Sequence, residues 1–166
     1  KLRGRYNMIV YSAHNGSYPR IGDTPEQQKL RRAHTALEKG EKSTEEFHAI
    51  QDEVVKEVIE EQIRAGMDFV SDGLIRWNDP LSHLAGRLEG VEINGLLRFF
   101  DTNYLFRQPV ITGTIQWTKP ILTKEFQFAK KISSKPVITV LTGPYTLAKL
   151  SMNKNKNYKN ITSLFD

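Results

Sequence analysis

Four short loops gather most of the residues in this chain that could do chemistry. The first, Ala13 to Gly22, carries His14, Asn15, Ser17 and Arg20. The second carries Asp72, Arg76, Asn78 and Asp79, the third Thr112, Thr114, Gln116 and Trp117, and the fourth Thr142 and Tyr145. These are hydrogen-bonding and charged groups of the kind that orient a small polar or anionic ligand. Backbone amides beside Gly16 and Gly143 could receive an anionic group as well, because glycine allows close approach. Each assignment has a competitor. The Gly-Ser-Tyr-Pro run serves equally as a tight strand-to-helix connection, Asp72 as the cap of the next turn, and Asn78-Asp79 before Pro80 as a helix N-cap. Of the four histidines only His14 sits on such a loop, and no residue is assigned a catalytic role. With no cysteine anywhere, disulfides, thiolate nucleophiles and thiolate-rich zinc sites are excluded, and no metal ligand set is assigned.

The elements that position these loops are legible from pattern. Met8 to Tyr11 reads as a strand ending in the first loop. Thr24-Pro25-Glu26-Gln27 combines an N-cap, a first-turn proline and a capping-box glutamine, which predicts a helix stopping near Gly40. Ser43 with Glu46 makes a second capping box, and Phe47, Ile50, Val54, Val58, Ile59 and Ile63 recur at helical spacing until Gly66. Met67 to Val70 is a short buried-strand candidate. Between Val91 and Tyr104 neither period holds, and a hairpin excursion is expected near residues 91–108. Val110 to Ile115 reads as a third strand, Thr123 as the cap of a helix that carries Phe126, Ala129 and Ile132, Val137 to Leu141 as the clearest strand, and Tyr145 to Leu150 as a further helix. Strand, glycine-bearing loop and helix thus alternate four times, which argues for an α/β fold of parallel strands joined by right-handed crossovers. In such folds ligands collect at the carboxyl ends of strands, where the four loops lie.

At 166 residues and 39% hydrophobic composition, one domain spanning 1–166 is expected. No run approaches the roughly 18 apolar residues of a membrane span, and Lys1 to Tyr6 lack the apolar core of a signal peptide, so a cytoplasmic location with no membrane partner is expected. The net charge of +5 is uneven: nine lysines face only Glu125 and Asp166 beyond residue 115. That excess has no arginine cluster and no interleaved aromatics, so it points away from nucleic acid and toward an anionic small substrate or a solvated face.

Several of these segments resemble one family. Asn15-Gly16-Ser17-Tyr18-Pro19-Arg20-Ile21-Gly22 is similar to the first-strand loop of cobalamin-independent methionine synthases, merging the versions found in their two related barrels. Phe100-Asp101-Thr102-Asn103-Tyr104 resembles a Phe-Asn-Thr-Asn-Tyr segment, Leu141-Thr142-Gly143-Pro144-Tyr145-Thr146 the Gly-Pro-x-Thr loop, and Asn78-Asp79 an Asn-Asp pair, all in the family's order. The resemblance implies half of a TIM-type (β/α)8 barrel. It also implies methyl transfer from a methylated folate to homocysteine, with zinc in the complete enzyme making the thiol a nucleophile. Substrate contacts are implied at Ser17, Arg20, Asp72, Asp79, Asn103, Tyr104 and Thr142. The family's zinc ligands lie on later strands and have no counterpart here. Aligned on Asn78-Asp79, Leu74 stands where the family places a glutamate for the substrate's amino group, and leucine can make no such bond.

Half a barrel leaves strand edges unpaired, so a homodimer, or pairing with a second half-barrel, is expected. Ile161 to Asp166 reads as the beginning of another helix. Two functional classes follow: a partial methyltransferase, or a catalytically silent module that keeps a folate-like or amino-acid-like pocket.

Overall fold

The computed structural model describes residues 9–19, 22–160 and 163. The chain forms two compact units, one of residues 1–75 and 125–140, the other of 76–124 and 141–166.

In the first unit, α1 (Lys29–Glu38) and α2 (Thr44–Arg64) pack together. The α2 start follows from its sequence: Ser43 Oγ accepts from the Glu46 amide at 3.1 Å, and the Glu46 carboxylate accepts from the Ser43 amide at 2.7 Å. Gly66, in the left-handed region at φ +80°, follows the last turn, as a helix stop requires. The Thr24/Gln27 capping box also forms, at 3.2 and 3.3 Å. It closes a turn ahead of α1, which begins at Lys29 and not at Thr24. Phe47, Val55, Val58 and Ile59 of α2 pack with Leu30 and Ala33 of α1, with Val70 and Ile75, and with Ala129 of α4 (Thr123–Ile132). Val55 is wholly buried; such a side chain contributes about 1.5–3 kcal/mol through its burial alone.

Parallel pairing runs through the same unit. Ala13 bridges Phe69, and Val70 bridges Val137, both in parallel. The Asp68 and Phe69 amides donate to the Ser12 carbonyl at 3.1 and 3.0 Å, the Val70 amide to Pro136 at 3.0 Å, and the Ile138 amide to Val70 at 2.9 Å. Ser12 and Asp68 add a side-chain clasp, in which the Asp68 carboxylate accepts from the Ser12 amide at 2.7 Å and its hydroxyl at 2.9 Å.

The second unit corrects the expected order of strands. β1 (Glu89–Arg98) and β2 (Leu105–Gln116) form an antiparallel hairpin, with Val91 opposite Ile111 and Arg98 opposite Leu105. The hairpin is longer than the expected 91–108 and absorbs Val110–Ile115, so that segment is its second arm, paired antiparallel with β1, and not a separate strand of a parallel strand-helix unit. The reason is local: the turn from Phe99 to Tyr104 returns the chain directly, and the Phe99 amide donates to the Tyr104 carbonyl at 2.8 Å. β2 pairs on its other side, in parallel, with β3 (Met152–Asn153), giving a mixed three-stranded sheet. α3 (Ser82–Ala85) lies against this sheet, and α5 (Pro144–Leu150) starts with proline in its first turn. Among the described residues no helix is long and apolar enough to cross a membrane.

Candidate functional site

The first unit builds a site from two loops at the carboxyl ends of adjacent parallel segments. Its foundation is Gln62, buried on the inner face of α2. The Gln62 carboxamide accepts from the Ser71 amide at 2.9 Å and donates to the Ser71 carbonyl at 2.8 Å and the Val58 carbonyl at 3.1 Å. A buried carboxamide needs this full pairing to be tolerated in an apolar layer. Ser71, itself fully buried, lies with its Oγ 3.2 Å from His14 Nδ1, and the same oxygen accepts from the Gly73 amide at 3.3 Å.

Beyond Ser71 the chain turns sharply. Asp72 Oδ1 accepts from the Leu74 amide at 3.1 Å, a local side-chain turn, and Gly73 and Leu74 both take the left-handed conformation, at φ +63° and +54°. A side chain on Gly73 would stand 2.7 Å from Tyr18 Cβ and 2.9 Å from Val58. The glycine is therefore fixed by close approach as well as by φ. The Gly73 carbonyl accepts from the Tyr18 amide at 2.9 Å, which ties the two loops together. The Leu74 side chain points inward and is buried.

Tyr18 packs its ring 5.3 Å from that of His14. Burial, a hydrogen bond to Glu61 and the Glu61 charge push its phenol up to about 12, so it stays protonated at neutral pH. A cavity of about 230 Å³ lies on the helical side of Tyr18 against Leu30, Val54, Val58, Glu57 and Glu61. Neither His14, Ser17 nor Asp72 lines it. Ser17 is exposed on the first loop beside Gly16, and Arg20 falls outside the described residues.

In the second unit the expected site residues divide by role. Asp79 closes the turn that leads into α3: Oδ1 accepts from the Leu81 and Ser82 amides at 2.9 and 2.7 Å, and Oδ2 from the Ser82 hydroxyl and the Arg107 amide at 2.5 and 3.1 Å. Four donors fill the acceptor capacity of a carboxylate, which favours the structural reading over a substrate contact. Thr142 Oγ1 donates to the Pro80 carbonyl at 2.6 Å. Asn103 and Tyr104 are exposed on the hairpin turn, whose shape depends on Thr102, with Oγ1 bonded to the Phe99 carbonyl at 2.5 Å and accepting from the Tyr104 amide at 3.2 Å. Trp77 is buried and stacked on His83, ring centroids 4.6 Å apart, as a packing anchor.

Sequence reasoning missed Gln62 and Ser71. The available signal was a polar residue on an otherwise apolar helical stripe. For zinc the donor set is absent: among the described residues no three His, Cys, Asp or Glu side chains converge, and the chain has no cysteine. The described residues do not fit the group.

A methionine synthase of Sulfurisphaera tokodaii is 34% identical over 135 residues, which are 81% of this chain and 40% of that protein. A 5-methyltetrahydropteroyltriglutamate–homocysteine methyltransferase of a Thermotoga species is 33% identical over 148 residues, 87% of this chain and 19% of its own length. The chain therefore spans well under half the length of these relatives. A B12-independent methionine synthase of a Shewanella species, solved in complex with selenomethionine, superposes with a TM-score of 0.71 at 19% identity, covering 95% of this chain and 44% of that one. Residues 16–164 match the profile of the cobalamin-independent synthase catalytic domain, and the chain belongs to that family.

Proposed function

We propose that this chain is the first part of a TIM-type barrel from a methionine synthase-like methyltransferase, and that its two tied loops receive the amino-acid end of the substrate pair. In the complete enzyme a methyl group would pass from a methyl-folate to the sulfur of homocysteine. The observation that carries this reading is the clamp from Gln62 through Ser71 to His14. It fixes the Asn15-Gly16-Ser17 loop at the carboxyl end of the first parallel segment, where ligands of such folds collect. Ser17, Arg20, Asp72, Asn103, Tyr104 and Thr142 remain the proposed contact residues, and zinc would have to be held by residues beyond those described. The Ala13 and Val137 segments each have a single parallel neighbour among the described residues, which supports pairing with a second copy or a second half-barrel. A dimer in light scattering is the expected result, and a monomer at micromolar concentration would count against it.

A second reading, a silent binding module, is favoured by Leu74. Its buried apolar side chain stands where the family resemblance places a glutamate, so the usual partner for an ammonium group is missing. Calorimetric titration with homocysteine and methyl-tetrahydrofolate, with and without zinc, followed by a methyl-transfer assay, separates the two. Binding without transfer by this chain alone supports the silent module. Transfer refutes it, and binding of neither compound refutes both.

A further inference from the structure

We propose that His14, held as its Nε2–H tautomer by the buried Ser71 hydroxyl, donates a hydrogen bond to the carboxylate of the amino-acid substrate; this rests on the sulfur amino-acid reading above. The tautomer follows from counting donors. Ser71 is fully buried, so its hydroxyl hydrogen needs an acceptor within the protein. Its oxygen already accepts from the Gly73 amide, and the only acceptor within reach among the described residues is His14 Nδ1, at 3.2 Å. Ser71 therefore donates, Nδ1 accepts, and the ring proton of neutral His14 resides on Nε2.

Ser71 cannot move away from this duty, because Gln62 grips both its amide and its carbonyl. Tyr18 restricts the ring from the side, at 5.3 Å. Nε2 has no partner among the described residues, and His14 is only half-buried, one residue past the parallel bridge of Ala13 and directly before the Asn15-Gly16-Ser17 loop. A neutral N–H donor in that place suits a group that only accepts. In an α-amino acid that group is the carboxylate, since the ammonium only donates. His14 is thus a substrate-binding residue, and Ser71 and Gln62 are positioning residues that act through it.

The test uses the full chain labelled with ¹⁵N in histidine, with His14→Ala assigning the His14 signals. Two-bond ¹H–¹⁵N spectra at about pH 8.5, where an ordinary imidazole is neutral, distinguish the tautomers directly. The Nε2–H pattern is expected, relaxing toward a mixture in Ser71→Ala; an Nδ1–H pattern in the parent overturns the proposal. L-methionine, the product of the proposed reaction, is then titrated. His14 Nε2 should shift, His14→Ala should weaken binding about tenfold, or about 1.4 kcal/mol, and His14→Gln should restore part of the loss because its amide reaches the Nε2 position. His14→Asn, which reaches only as far as Nδ1, should not. Binding indifferent to His14→Ala overturns the ligand role. No binding of L-methionine by the parent chain overturns the sulfur amino-acid reading together with the carboxylate contact, whereas the tautomer measurement reports on His14 and Ser71 independently of any ligand.

Discussion

Gln62 and Ser71 exchange two hydrogen bonds across the interior of the first unit, carboxamide to backbone, at 2.8 and 2.9 Å. The pairing replaces, for one residue, the neighbour that an extended segment would otherwise find in a sheet. A helix side chain thereby sets the height of a loop that carries ligand-binding groups.

Gln62→Leu should keep the volume and strand the Ser71 amide and carbonyl. Leaving buried groups unpaired costs about 1–3 kcal/mol each, so a loss of about 3 kcal/mol is expected in urea denaturation. Gln62→Glu must either take up a proton or bury a charge against the Ser71 and Val58 carbonyls, and should also be less stable than the parent, the more so as pH rises. Equal stability of all three would show that the clamp is not formed.

Such a clamp is hard to read in a sequence, and the reason separates what was legible here from what was not. Ser43 with Glu46 is a local signal, three residues apart, and the helix it predicts is present from Thr44 to Arg64. Gln62 pairs with a residue nine positions away in a different element, and nothing near it announces that. The Val110–Ile115 run shows the same limit. A short apolar, β-branched stretch looks alike in a parallel layer and in a hairpin arm, so its strand character was legible and its partner was not. For Asp79 both readings were available from the residues before Pro80, and the four donors that weigh toward the structural one were not legible there.

The clasp of Ser12 and Asp68 should make the first unit sensitive to acid. Hydrogen bonds from the Ser12 amide and hydroxyl, with the charge of Lys135, hold the Asp68 carboxyl below its usual range. A carboxyl lowered in the folded state contributes stability that is present above its unfolded value, about 3.9, and is lost as pH falls through the lower folded one. Asp68→Asn should therefore lower Tm at pH 7, and the gap from the parent should narrow as the solution is acidified below the usual carboxylate range. A gap that is constant with pH would assign the effect to geometry alone.

The two tryptophans should report on opposite environments. Trp77 is 2% exposed and stacked on His83, whereas Trp117 is 68% exposed. Trp117→Phe should leave blue-shifted emission with weak acrylamide quenching, and Trp77→Phe should leave red-shifted emission with strong quenching. The second change should also cost stability, since shrinking a close-packed aromatic leaves a cavity. Identical quenching in the two variants would contradict the placement of Trp77.

Asp79 allows the structural role to be separated from substrate binding in one experiment. Asp79→Ala removes the acceptor for the Leu81, Ser82 and Arg107 amides and the Ser82 hydroxyl together. Leaving buried donors without an acceptor costs about 1–3 kcal/mol each, partly relieved where water can reach them, so a drop of about 2–3 kcal/mol is expected. Asp79→Asn keeps an acceptor for the Leu81 and Ser82 amides, and should recover part of the stability. If Asp79 is structural, affinity for L-methionine or methyl-tetrahydrofolate, measured well below the melting temperature, should be unchanged in the asparagine variant. A loss of affinity in Asp79→Asn out of proportion to its stability would return this residue to the substrate-binding set.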